Sequence, residues 1–153
     1  QRTPRGRVAT AAAFAHLGLE EPRGQGVAQG HLRGGAGRDT IYANAGNDII
    51  FGGFGDDILY GGTGNSTLSG GRGSDVFALT AGEGVSTIIN FDISADLLGL
   101  TNGLTFEQLA IAQGTSGDEF FTQVSVASSG DLLATLSGVQ ADSITGSSFS
   151  VIS

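Results

Sequence analysis

Five nine-residue units follow one another without a gap from residue 34 to residue 78: GGAGRDTIY, ANAGNDIIF, GGFGDDILY, GGTGNSTLS and GGRGSDVFA. A fixed period this short commits the chain to a stack of similar coils. One unit cannot enclose a core, so it buries its apolar residue only against its neighbours. Thirteen of these 45 residues are glycine, a content that without a period would indicate disorder.

Within each unit the first six positions read as a turn and the last three as a strand. Glycine serves the turn where the backbone needs angles a Cβ forbids or where coils approach closely. Positions seven to nine are rich in β-branched and aromatic residues. Position eight is always apolar: Ile41, Ile50, Leu59, Leu68 and Phe77. A strand of period two sends that residue to one face, and repetition every nine residues stacks it into an internal column. Upstream, QGVAQGHLR (25–33) keeps the register with Leu32 at position eight but lacks the aspartate, as a worn opening coil would.

Position six carries the chemistry. A Gly-Gly-x-Gly-x-Asp turn offers one hard carboxylate and several carbonyl oxygens free to point inward. All-oxygen ligation at high coordination number suits calcium, whereas magnesium demands a tighter octahedron and zinc prefers nitrogen or sulfur. One such turn would mean little; three intact copies at a strict period are a strong signal. With no cysteine the chain has no disulfide framework, zinc–thiolate site or thiol nucleophile. Residues 1–33 hold five of the seven arginines against Glu20 and Glu21, and the rest of the chain sets two arginines against 13 acidic residues. So acidic a body disfavours nucleic acid and suits divalent cations.

These turns resemble the RTX, or haemolysin-type, calcium-binding repeats of secreted bacterial proteins. The likeness is specific over residues 34–78. It extends through GGRGSDVFALTAGEGVSTIINFDISADLLGL, which is similar to the passage into the C-terminal unit of serralysin-type and cyanobacterial members. The resemblance implies a right-handed parallel β-roll with two nonapeptides per coil and calcium between turns stacked on one edge. Turns one, three and five then share an edge, and turns two and four share the other. The faults sort by that parity. The odd edge is intact, with Asp39, Asp57 and Asp75 at position six. On the even edge Ala43-Asn44 replaces Gly-Gly in turn two and Ser66 replaces the aspartate in turn four.

Asn44 still tolerates a left-handed backbone, so Asp48 remains a candidate ligand. The implied ligand set is therefore Gly34, Ala36 and Asp39; Gly52, Gly53, Phe54, Gly55 and Asp57; and Gly70, Gly71, Arg72, Gly73 and Asp75, with Asp48 on the even edge. Two ions are expected on the odd edge, between Asp39 and Asp57 and between Asp57 and Asp75, and a weaker third at Asp48. Asp56 reads as a surface charge. Five inward apolar residues are too few to offset the ordering of 45 glycine-rich residues, so folding is expected to depend on the metal.

Residues 79–153 lose the period and read as a β-rich cap. VSTIINFDISADLLGL and FFTQVSVASSGDLLATLSGV are β-type runs, the latter folding back at Ser129-Gly130. TFEQLA has a helix-start pattern, with Thr105 as N-cap and Gln108 three residues on. Asp92 and Asp96 are placed to cap the last calcium turn, although Asn90 stands where the family has an aspartate before the phenylalanine. At the other end VATAAAFAHLGL is too short and interrupted to span a bilayer, so no transmembrane segment is expected. Its arginine-rich flank gives it a faint likeness to a signal peptide, but an Ala-rich surface helix, broken by EPRGQG, is the simpler reading.

The fold expected is all-β: a right-handed parallel β-roll (34–78), an N-terminal Arg/Ala-rich segment (1–33), and a small β-rich C-terminal cap with one short helix (79–153). No HExxH, GxSxG or triad accompanies the two histidines, His16 and His31, so no enzymatic activity is expected. Asp118-Glu119 reads as a solvated loop. The threonines are too scattered for an ice-binding ladder. Outward positions are greasy: Thr40, Tyr42, Ile58, Tyr60, Val76 and Ala78 on the odd sheet, Ile49 and Phe51 on the even one. Either the terminal segments cover them, or Tyr42, Ile58, Tyr60, Ile49 and Phe51 mediate a homo-oligomer or surface assembly. The ending SSFSVIS resembles the family's uncleaved type I secretion signal. The function expected is a secreted or cell-surface calcium-triggered structural module. The alternatives are a self-assembling surface-layer, filament or adhesion subunit, and the tail of a larger exported enzyme or toxin.

Overall fold

The computed structural model describes residues 8–9 and 30–152. Among them, strands alternate between two sheets: β1 (Val8–Ala9), β2 (His31–Ala36), β3 (Thr40–Tyr42), β4 (Ile49–Phe54), β5 (Ile58–Tyr60), β6 (Asn65–Arg72), β7 (Val76–Leu79), β8 (Val85–Ile89) and β9 (Leu97–Leu100). One sheet runs β1-β3-β5-β7-β9 and the facing one β2-β4-β6-β8, all in parallel register. Neighbours are therefore 18 residues apart rather than nine: Ile41 pairs with Leu59 and Leu59 with Phe77, while Leu32 pairs with Ile50 and Ile50 with Leu68. The molecule is a parallel β-solenoid, a β-roll of about four coils. Its two columns of position-eight side chains, Leu32, Ile50 and Leu68 against Ile41, Leu59 and Phe77, are fully buried, each worth about 2 kcal/mol of transfer free energy.

Neither sheet stops where the period does. Leu68 pairs with Ile88 and Phe77 with Leu98, so the coils continue with steps of 20 and 21 residues. The even sheet then adds β12 (Leu132–Ser137) in parallel beside β8, followed by β11 (Glu119–Val126) and β10 (Leu109–Ser116) as an antiparallel meander. The odd sheet adds β13 (Phe149–Val151) in parallel beside β9. Leu133, Leu136, Val124 and Ile144 join the roll residues in one core cluster. The fold-back before β12 turns through Gly130 at φ 80°, as its sequence requires, and Asp118 lies exposed in the turn between β10 and β11.

Two expectations need correction. TFEQLA gives only a single 3₁₀ turn, Phe106–Gln108, in which Thr105 N–H donates to Gln108 Oε1 at 2.9 Å. The next residue, Leu109, opens β10, whose eight residues pair with β11 and leave no length for an α-helix. Two further 3₁₀ turns follow, at Ala141–Ser143 and Gly146–Ser148. The run read as an Ala-rich helix begins instead as strand β1, paired with Thr40 and Ile41. The rest of that run, with His16 and residues 25–29 of the opening coil, lies outside the described residues; His31 is exposed on β2.

The outward faces are partly self-covered. Tyr42 and Tyr60 stack at 4.5 Å between ring centroids. The Arg33 guanidinium sits 4.8 Å over Phe51, and Arg72 lies over Phe54. The Ile152 side chain fills the space above Gly99 beside Val76, so the C-terminal end covers part of the odd sheet.

Candidate metal centre

The 18-residue register brings every second position-six aspartate together. On the odd edge Asp39 N–H donates to Asp57 Oδ1 at 2.8 Å, Asp57 N–H to Asp75 Oδ1 at 2.9 Å, and Asp75 N–H to Asp96 Oδ1 at 3.0 Å. All four aspartates are buried. One carboxylate oxygen of each thus closes the backbone of the coil before it. The other oxygen distinguishes them. In Asp57 and Asp75 the buried Oδ2 has no hydrogen-bond partner. In Asp96 it accepts the Asp92 N–H at 2.9 Å, so the ladder ends on a carboxylate satisfied by protein alone. The step of 21 residues hides Asp96 from the nonapeptide count. Asp92, bonded to the Ser94 hydroxyl and amide and thereby held below the usual carboxylate range, faces solvent rather than the edge.

A buried carboxylate oxygen without a partner is costly unless a cation or proton meets it. Burial, reinforced by like charges on the same edge, pushes Asp57 up to about 6 and Asp75 up to about 7. Burial likewise raises Asp48 and Asp96. The first glycine of each odd turn borders the orphaned oxygen. A Cβ on Gly52 would lie 2.5 Å from both Asp57 Oδ2 and the Gly70 carbonyl; one on Gly34 would lie 2.6 Å from Asp39 Oδ2 and 2.5 Å from the Gly52 carbonyl. On Gly70 it would run into Asp75 Oδ2. Position one is therefore a cradle in which a carboxylate oxygen and the carbonyl of the next odd turn face the same space. Position two needs its glycine for the left-handed backbone, as at Gly53 (φ 113°).

The donors are hard oxygens, as calcium requires. Among the described residues no three His, Cys, Asp or Glu side chains converge, so any ion must take most of its ligands from the backbone. The position-three carbonyls are not idle. Phe54 C=O accepts the Gly37 N–H at 2.9 Å, and Arg72 C=O accepts the Gly55 N–H at 2.8 Å. Each retains a second lone pair. Asp56, read from sequence as a bare surface charge, accepts the Ser74 N–H at 2.8 Å through Oδ1. Asn47 does the same for Asn65 at 2.9 Å on the other edge. The sequence signal for this position-five role was an acceptor side chain 18 residues before the amide it serves.

The even edge departs as its substitutions foretell. Asn44 adopts φ 72°, the left-handed backbone of the glycine it replaces. Asp48 Oδ1 accepts the Gly30 N–H at 2.8 Å, and its buried Oδ2 has no hydrogen-bond partner. Ala43, however, puts a methyl group where the odd turns keep a glycine clear of that oxygen. Ser66 closes its turn without any ion: its Oγ accepts the Asp48 N–H at 3.3 Å and donates to the Gly61 carbonyl at 3.1 Å.

A parallel β-solenoid with an oxygen-lined edge of stacked aspartate turns is the class of protein that fold and site define. Residues 31–59 and 52–85 match the family model of the RTX calcium-binding nonapeptide repeat, which makes calcium the ion implied for this edge. Repeats of this family are typical of extracellular bacterial proteins. Among solved structures, the AlgE6R3 subunit of the Azotobacter vinelandii mannuronan C5-epimerase is 25% identical at a TM-score of 0.60, over 84% of this chain and 81% of that one. The AlgE6R2 subunit of the same enzyme is 22% identical at a TM-score of 0.32, over 96% and 91%. No helix among the described residues is long and apolar enough to cross a membrane.

Proposed function

We propose that the chain is a secreted or cell-surface structural module, without catalytic activity of its own, whose roll is set by calcium. One observation carries the reading: the odd edge stacks buried aspartates whose outer oxygens, at Asp57 and Asp75, have no hydrogen-bond partner and border glycine cradles. Two ions are assigned to this edge, between Asp39 and Asp57 and between Asp57 and Asp75. Their remaining ligands are backbone carbonyls of Gly34, Ala36, Gly52, Gly53, Phe54, Gly55, Gly70, Gly71, Arg72 and Gly73. Asp48 holds a weaker third, crowded by Ala43. Bound calcium supplies charge neutralisation and cross-links successive coils; the chain's own residues position the oxygens. Residues 34–78 form the calcium-set roll and residues 79–153 its cap.

The test is circular dichroism with calorimetric titration. Far-ultraviolet spectra are expected to lose most of their β signal in EGTA and regain it in millimolar calcium, with at least two ions bound per chain. The same β content in both conditions would overturn the reading.

A second reading is favoured by the similarity to a repeat subunit of an epimerase: the chain serves as a folding and export module joined to a catalytic part. The mass of the natural gene product separates the two.

A further inference from the structure

Away from the aspartate edge, the outer face of the odd sheet holds a groove of about 480 Å³ where its strands run into the even-edge turns. One wall is aromatic. Tyr42 and Tyr60 stand in the same outward column, rings nearly parallel at 13°. The column then falls to Ala78 and Gly99. Tyr60 therefore has no ring stacked on its far side, and the sheet steps down beside it.

The rest of the lining is polar and held in place. Asn44 and Asn102 both sit on left-handed backbones, at φ 72° and 53°. Thr101 Oγ donates to the Leu79 carbonyl at 3.0 Å, and the Thr80 and Thr101 hydroxyls lie 2.6 Å apart. A hydroxyl has one proton, so Thr80 must donate to Thr101 and keeps both lone pairs as acceptors. Glu83 adds a carboxylate and the asparagines add amide donors and acceptors. None of the ten lining residues is cationic.

An aromatic wall beside fixed donors and acceptors, in a cleft of small-ligand size, matches a ligand that is apolar on its ring faces and hydroxylated at its rim. We propose that this groove binds a neutral oligosaccharide, one sugar ring lying against Tyr60 and its hydroxyls meeting Thr80, Glu83 and Asn102. Anionic sugars are disfavoured, since the lining carries one carboxylate and no cation on a chain of net charge −8.

The probes are cellopentaose, xylopentaose and mannopentaose, with oligomannuronate and oligogalacturonate as anionic arms, added to the calcium-loaded full chain and followed by amide chemical shifts. At least one neutral pentamer is expected to shift Gly62, Thr63, Thr80, Glu83 and Asn102 while leaving Ser74 on the opposite edge unmoved. Tyr60→Ala is expected to weaken it at least tenfold. Glu83→Ala, at a side chain in an exposed turn that threatens no packing, is expected to weaken it about threefold and keeps the test valid if Tyr60→Ala misfolds. No shift with any neutral pentamer at 10 mM, unchanged affinity in Glu83→Ala, or tighter binding of an anionic oligomer overturns the proposal. The spectrum in calcium without sugar reports the roll separately, so a failure of the calcium reading is distinguishable from a failure of this one.

Discussion

Two adjacent aspartates show how far register decides chemistry. Asp57 is buried, closes Asp39 N–H and leaves one oxygen unpartnered; Asp56 is one position earlier, faces solvent and closes Ser74 N–H. Asp57→Asn keeps an acceptor for Asp39 but removes the charge, so calorimetry is expected to show loss of at least one calcium and a calcium midpoint raised tenfold or more. Asp56→Asn also keeps its acceptor and is expected to change the midpoint less than twofold. Equal effects would mean that the register is wrong. The even edge gives the converse experiment. Ala43→Gly with Ser66→Asp removes the methyl beside Asp48 and restores the missing carboxylate, and is expected to add one calcium per chain. An unchanged stoichiometry would show that the edge is closed by something besides these two residues. Parity, and with it the identity of the working aspartates, was legible because only an 18-residue repeat separates intact turns from damaged ones. What Ser66 does instead, bridging Asp48 N–H and Gly61 C=O, was not legible, since a missing carboxylate does not reveal where the remaining hydroxyl turns.

At the scale of the element, the odd edge is a column of like charges whose pKa values rise together. Asp57 at about 6 and Asp75 at about 7 stand above the value of about 4 expected in an unfolded chain. A group raised on folding stabilises the folded state below its unfolded pKa, and that contribution is lost as pH climbs through the folded value. The calcium-free roll is therefore expected to melt higher at pH 4.5 than at pH 7.5, the loss falling between about pH 4 and 7. Calcium binds the ionised form, so its stabilisation is expected to grow over the same interval. Melts in EGTA at the two pH values check the sign. Asp57→Asn with Asp75→Asn is expected to flatten the difference, and a wild-type melt that is higher at pH 7.5 would refute it. Strands β3 to β7 were readable because each has β-branched or aromatic residues at a fixed offset from its glycines. Strand β10 was not: Thr105 and Gln108 carry a helix-start pattern, and only the pairing of Leu109–Ser116 with β11, a tertiary fact, overrides it.

At the scale of the molecule, the loss of the nonapeptide period at residue 79 marks a change in coil length rather than an end to the roll. Strands β8 and β9 extend both sheets, β12 and β13 extend them again, and Ile88, Leu98 and Leu136 continue the buried columns. The calcium turns therefore lean on a C-terminal part that supplies much of the core and none of the glycine cradles. A chain ended at residue 90 would keep Asp39, Asp57 and Asp75 but lose Asp96, the acceptor for Asp75 N–H, and would bare the edges of β7 and β8. An open solenoid end forfeits the burial and the hydrogen bonds that a cap provides. Calcium titration of that truncated chain, followed by circular dichroism, is expected to show no cooperative gain of β structure at a concentration that folds the full chain, or a midpoint at least tenfold higher. If the truncated chain folded at the same calcium concentration, the metal edge alone would specify the roll, and the C-terminal strands would be passengers on it rather than its foundation.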